Sequence, residues 1–312
     1  MEQWKKELVP LLPHAVQEVL YAIEDDEMLT EIHLRADLPM QLTFVNRDRL
    51  VYATGGGPLL TKKDCEKLLS ALCEHSIYAW EKELANGFFT ISGGYRVGLA
   101  GRTVQQENGK MRYTSVTGFC IRIVRAVRDA AIPLLPYVTN NGRWLSTMLL
   151  SPPGGGKTTV LRDLIRLIST GTETISPLRI CAADERFELG GSADGDRAFD
   201  LGPRTDLISG MAKADALERM LAALSPQALA VDELVDEHDM AAIRYARAGG
   251  VIVFATIHAG SITDLKHRAQ TIKMTEDKVF DRYILLHQTK SPGTIKAIWD
   301  ADGHEMTRNS IC

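Results

Sequence analysis

The chain has 312 residues, 45% hydrophobic and 24% charged, with a formal net charge of −4. That is material for two domains with ample core, and no run of about 18 apolar residues is present that would cross a bilayer as a helix. The acidic balance and the lack of a Lys/Arg-rich stripe argue against a nucleic-acid partner. The cysteines Cys65, Cys73, Cys120, Cys181 and Cys312 are scattered without a C-x-x-C spacing, and they read as reduced thiols rather than a metal site or disulfide frame.

At the N-terminus Pro10 and Pro13 interrupt any signal-like apolar core, so a cytoplasmic location is expected. Residues 5–22 carry Leu8, Leu11, Leu12, Val16, Val19 and Leu20 at roughly helical spacing, which predicts a helix or a helix pair broken near the prolines. The period then changes to two. Residues 31–35, 41–45 and 48–52 alternate apolar with polar side chains as half-buried strands do. A glycine turn at 55–57 precedes a helix over 61–73, with Thr61 as its N-cap and Asp64 in its first turn. A second helical piece, 77–84, ends near Asn86 and Gly87. Residues 88–92 and 95–99 read as a hairpin joined by Gly93 and Gly94, and 111–124 continues in strand-like alternation. The stretch 129–141, with Pro133 and Pro136, reads as an inter-domain linker. These features predict domains at 1–135 and 136–312.

Beyond the linker, strands and helices alternate: 144–150, 159–169, 178–183, a long loop, 213–224, 228–231, 240–248, and 251–258 as the last strand. That alternation predicts a largely parallel sheet with ligands at the carboxyl ends of its strands. The first strand runs into Ser151-Pro152-Pro153-Gly154-Gly155-Gly156-Lys157-Thr158-Thr159 and then into an amphipathic helix. Three glycines let consecutive N–H groups curl around a polyphosphate, Lys157 can reach the β- and γ-phosphates, and Thr158 can hold Mg²⁺. Ser151 departs from the glycine that usually opens this pattern. The strand 228–231 ends in Asp232 and Glu233, a pair in which one carboxylate can serve the metal and the next can polarise a water. A helix N-terminus favouring acids is the plainer reading of that pair. Residues 179–183 end likewise in Asp184, Glu185 and Glu188, and the strand at 251–258 leaves Thr256 and His258 at its exit. Either residue can sense a γ-phosphate, though a lone histidine there also suits a structural role.

Taken together, S-P-P-G-G-G-K-T-T, A-A-D-E-R-F-E-L-G-G, D-L-G-P-R-T-D, L-S-P-Q-A-L-A-V-D-E and A-G-G-V-I-V-F-A-T-I-H-A-G-S resemble the stage III sporulation protein AA family, relatives of the type II and type IV secretion ATPases. The resemblance implies an α/β fold with a C-terminal RecA-like P-loop domain, a smaller N-terminal α+β domain, and a homo-hexameric ring. It implies an ATPase using ATP and Mg²⁺ to energise a secretion-like channel in endospore formation. Such a motor would be peripheral to the membrane on the mother-cell side, docked on membrane-embedded sporulation channel proteins. By the same resemblance, residues 153–159, with Pro153, Gly154, Gly155, Gly156, Lys157, Thr158 and Thr159, bind nucleotide. Thr158, Asp232 and Asp184 serve the metal, and Glu233 is the base, with Glu185 and His258 beside it. Arg96, Arg122 and Arg125 correspond to arginines that reach the phosphates from the N-terminal domain. Leu234-Val235-Asp236 replaces the family's usual Ile-Gly-Arg, which keeps a nucleotide-gated assembly protein with little turnover as an alternative; the P-loop and acidic strand by themselves also fit a RecA-like nucleic-acid motor, against which the acidic charge argues.

Overall fold

The computed structural model describes residues 2–24, 28–45, 47–74, 76–105, 111–123, 127–191, 198–267, 271–288 and 291–306. The chain divides into two compact units, one of Met1–Arg125 with Gly191–Ala198, the other of Ala126–Gly190 with Phe199–Cys312.

In the first unit α1 (Gln3–Glu7) and α2 (His14–Tyr21) are separated by a 3-10 turn at Val9–Leu11. Pro10 in that turn has no N–H with which to continue α1. Strands β1 (Leu29–Arg35), β2 (Met40–Phe44) and β3 (Arg47–Val51) precede α3 (Lys62–Leu72) and α4 (Glu81–Ala85). Strands β4 (Phe88–Ile91), β5 (Tyr95–Gln105) and β6 (Met111–Arg122) follow. The sheet runs β3-β2-β1-β6-β5-β4 and every pair is antiparallel. Side chains alternate across it, so Ile32, Leu34, Val97, Phe119 and Ile121 enter the core while Glu31, His33, Arg35, Cys120 and Arg122 take the opposite face. Helix α3 begins in a capping box in which Thr61 and Asp64 satisfy each other's backbone amides. Strands β5 and β6 outrun the sheet as a two-stranded arm whose β5 half, 101–105, is exposed. Their register slips between Ala100 and Gly101 and again between Arg102 and Thr103. At the first slip Gly101 is required, because an added Cβ would stand 2.0 Å from the Ser115 carbonyl oxygen.

The second unit opens with a 3-10 turn at Ile132–Leu134 and α5 (Leu135–Val138). Ala130, Ala131, Leu134 and Val138, within the proline-rich stretch read as a linker, are buried in this unit's core. A short ribbon of β7 (Thr139–Asn140) and β8 (Arg143–Trp144) leads to β9 (Thr147–Ser151), α6 (Lys157–Thr170), β10 (Ile180–Asp184) and β11 (Thr205–Ser209). Then come α7 (Lys213–Ala223), β12 (Ala228–Val231), α8 (Glu237–Ala248) and β13 (Ile252–His258). The chain closes through α9 (Ile262–Lys266), α10 (Ile272–Glu276), β14 (Arg282–Leu286) and β15 (Ile295–Asp300). The sheet order is β11-β10-β12-β13-β9-β14-β15, parallel except for the final pair.

Alternate residues of the central strands feed two cores. Leu149, Ile180, Ala230 and Phe254 pack with Leu161, Leu164, Ile165 and Ile168 of α6. Leu150, Cys181, Val231 and Val253 pack with Leu217 and Met220 of α7 and with Met240 and Ile243 of α8. Helices therefore cover both faces, as a parallel sheet requires. Residues 251–258 are not the last strand, and the long loop after 183 is not free of sheet. Strand β14 is buried almost throughout and so lacks the alternation that marks a strand in sequence, and β11 is only five residues long at the sheet edge. Among the described residues no helix is long and apolar enough to cross a membrane.

Candidate functional site

The site of the second unit grows from the exit of β9, a strand buried at every position. The chain turns through Pro152 to Gly156, with Gly154 and Gly156 both at φ 77°, a region disfavoured for any residue with a Cβ. Gly156 is the residue before α6, and no side chain caps this helix, so its first-turn N–H groups are left available to an anion. Ser151 explains itself here. Its hydroxyl donates to the Pro152 carbonyl at 2.6 Å and fills the space beside Gly155, where an added Cβ would lie 1.8 Å from Ser151 Oγ. The Pro153 carbonyl accepts from Gln288 Nε2 at 3.1 Å, tying the turn to the segment after β14. Thr159 follows in the first turn of α6.

Lys157 is only 6% exposed. Its Nζ donates to the Ser151 carbonyl at 3.3 Å and lies 2.9 Å from His258 Nδ1. Burial lowers the Lys157 pKa, against the pull of Asp232, Glu233 and Glu188. His258 Nδ1 also lies 3.4 Å from the Ser151 carbonyl oxygen, and its Nε2 lies 3.4 Å from Glu233 Oε1.

Thr158 of α6, Thr256 of β13 and Arg186 in the turn after β10 lock the acid pair. Asp232 accepts from Thr158 Oγ1 on one oxygen and from Thr256 Oγ1 on the other, both at 2.6 Å. Thr256, fully buried on β13, in turn accepts the Glu233 amide at 2.8 Å. Glu233 has φ 54°, an uncommon conformation for a side chain of its kind, and this turns its carboxylate toward Arg186 Nη1 at 2.9 Å. Glu185 is held by Lys213 Nζ at 2.8 Å. A cavity of about 20 Å³ lies among Asp184, Glu185, Arg186, Lys213, Asp232 and Glu233, which is room for about one water.

Asp184 is differently engaged. It is buried, and its two oxygens accept the amides of Glu188, Leu189 and Gly190 at 2.7, 3.1 and 2.7 Å. Burial raises its pKa and those amides oppose the rise. The same loop is gripped from the other side by Arg162, which donates to the Glu188 and Leu189 carbonyls and stacks 3.8 Å over the Phe199 ring. Burial lowers the Arg162 pKa to about 10.

The structure thus brings Lys157, Thr158, Asp232, Glu233 and His258 into one network, with Glu185 alongside. Thr256, named from its place at a strand exit, joins it, and so do Arg186, Lys213 and Arg162, which were not singled out in the sequence. Arg96 and Arg122 lie in the first unit, Arg96 stacked 3.7 Å over the Phe88 ring and Arg122 paired with Glu31 at 3.3 Å. Arg125 lies outside the described residues.

The donor set suits a magnesium triphosphate: a turn that side chains would block, a buried ammonium, and a hydroxyl bonded to a carboxylate at a strand's end. A family model for sporulation stage III, protein AA, matches residues 2–306. Stage III sporulation protein AA of Bacillus subtilis (strain 168) is 37% identical over 306 residues, covering 97% of this chain and 98% of that protein. The pilus retraction motor PilT with bound ADP aligns over 86% of this chain and 77% of its own, with TM-score 0.57 and 18% identity. The Legionella pneumophila ATPase DotB aligns over 82% and 72%, with TM-score 0.55 and 13% identity. At those identities the likeness is one of fold, the RecA-like α/β fold of secretion ATPases. By family model and by full-length identity, the chain belongs to the stage III sporulation protein AA family.

Proposed function

We propose that the chain is a magnesium-dependent ATPase that assembles as a homo-hexameric ring and energises a secretion-like channel in endospore formation. The observation that carries this reading is the Thr158–Asp232–Thr256–Glu233 network, which joins the phosphate turn to the acid pair through hydrogen bonds of 2.6–2.8 Å. The 153–159 turn and Lys157 bind the phosphates, and Thr158 and Asp232 hold Mg²⁺ directly or through water. Mg²⁺, when bound, supplies charge neutralisation on the phosphate oxygens. Asp184 keeps its amides and shapes the loop beside the metal. Glu233 takes the proton of a water in the small cavity, and Glu185 stands by as the second acid. His258 couples Lys157 to Glu233, so that phosphates drawing Lys157 away alter the base. Arg96, Arg122 and Arg125 are proposed to add positive charge from the N-terminal unit when the ring closes. Cytoplasmic docking on membrane-embedded sporulation channel proteins completes the proposal.

Glu233→Gln tests the chemistry. The variant is expected to keep nucleotide binding while phosphate release falls by ~10²–10⁴-fold. Wild-type turnover in this variant would remove Glu233 from the role and pass it to Glu185. One observation favours a second reading: Glu233 is already engaged by Arg186 and His258, as in a nucleotide-gated assembly protein that turns over little. Nucleotide-dependent mass in solution without multiple turnovers would select that reading.

A further inference from the structure

On the polar face of the first unit's sheet, three donors of different chemistry converge. Glu31 and His33 stand two residues apart on β1 and so leave the same face. Pairing with β6 sets Cys120 directly across from His33 and Arg122 directly across from Glu31. His33 Nε2 lies 3.1 Å from Glu31 Oε2 and 3.9 Å from Cys120 Sγ, and the three donor atoms all lie within 4.8 Å of one another. A tetrahedral zinc ion with bonds of about 2.0–2.3 Å needs its ligand atoms about 3.3–3.7 Å apart, so side-chain adjustments of at most about an ångström close the set.

The mixture matters as much as the spacing. A thiolate, an imidazole and a carboxylate suit Zn²⁺, whereas Mg²⁺ and Ca²⁺ favour oxygen ligands alone. Arg122 Nε holds the far oxygen of Glu31 at 3.3 Å, which leaves Oε2 turned to His33, the second contact that orients a metal-binding carboxylate. The sheet also leaves room. Gly98 on β5 is paired with Cys120, and Gly118 on β6 is paired with Arg35. Neither contributes a side chain, and they line a cleft of about 430 Å³ together with His33, Arg35 and Cys120.

We infer that Glu31, His33 and Cys120 form a Zn²⁺ site with its fourth position open to this cleft and filled by water. Binding converts the Cys120 thiol to thiolate and releases its proton to solvent. Its thiolate distinguishes it chemically from the proposed magnesium nucleotide site, which offers hydroxyl and carboxylate oxygens.

Cobalt titration of the full-length chain, reduced with a phosphine, tests the assignment through the thiolate-to-cobalt charge-transfer band, which an oxygen-ligated nucleotide site cannot produce. One equivalent of Co²⁺ is expected to raise that band with the d–d absorption of four-coordination, and Zn²⁺ is expected to abolish both while Mg²⁺ does not. Cys120→Ser should lose the band. His33→Gln should weaken cobalt affinity by about 100-fold, since even an outer-shell partner is worth 10–100-fold. Cys312→Ser serves as the control for a thiol outside the described residues and should bind as the wild type does. A wild-type titration without the band, a band that survives Cys120→Ser or vanishes in Cys312→Ser, or unchanged affinity in His33→Gln would each overturn the assignment.

Discussion

The two sheets handle polar chemistry in opposite ways. In the second unit, helices cover both faces of a mainly parallel sheet, so β9, β10, β12 and β13 carry no charged side chain before their carboxyl ends, and they deliver Ser151, Asp184, Asp232 and His258 to the same end. In the first unit the strands are antiparallel and one face packs on the core, so polar side chains accumulate along the other face, mid-strand, as Glu31, His33 and Cys120 do. Parallel order concentrates chemistry at a rim, and antiparallel order spreads it over a surface.

The sharpest way to break this contrast is at Gly155. With Ser151 Oγ 1.8 Å from the site of an added Cβ, Gly155→Ala is expected to distort the rim and cost about 1–3 kcal/mol of stability, with a loss of nucleotide binding. Ser151→Gly in the same chain should recover much of both, a coupling of about 0.5–3 kcal/mol in a double-mutant cycle followed by denaturation and nucleotide titration. Additive losses would mean that the turn is shaped by something other than that hydroxyl.

Asp184→Asn asks whether an acid at a strand end is scaffold or ligand. Its oxygens serve three backbone amides, and an amide side chain would turn a donor toward one of them, so a stability loss of about 1–3 kcal/mol is expected in urea. A variant as stable as the wild type but with a raised magnesium requirement would point to a ligand instead.

The smallest effect is expected at Lys157. Its pKa is lowered by burial from 10.5, so between the folded value and 10.5 the unfolded chain binds more protons, and stability rises with pH through that window. At neutral pH the cost of burying the ammonium is present in full. Lys157→Met should therefore raise the thermal midpoint of the nucleotide-free protein at pH 7, and the advantage should shrink as the pH approaches 10.5. A difference that stays constant with pH would argue that the ammonium is well solvated where it sits.

What could be read in advance follows the same division. The glycine turn before α6 is legible because its glycines, lysine and threonine are neighbours in the chain and each answers to a local geometric need. Asp232 and Glu233 are legible because an apolar run ends in them. Arg186 and Lys213 join the site only through the fold, because β10 lies beside β12, a pairing with no signature in any single segment. The same holds for the cysteines. Spacing patterns detect thiols that share one loop, whereas His33 and Cys120 are 87 positions apart and meet through the β1–β6 register. Strands β14 and β11 escaped because continuous burial in the one and a short edge in the other leave no alternation to find, and the prolines of 129–141 masked apolar side chains that belong to a core.

The arm formed by β5 and β6 has a further consequence. Each slip in its register inserts an unpaired residue on the β6 side, Thr117 at the first and Thr114 at the second, and an insertion of this kind coils a ribbon and bends it. A straight, flat projection with bare backbone along both margins would invite lateral stacking with its counterparts on other copies. Cranked twice within a few residues, this one offers no level margin long enough to template such growth.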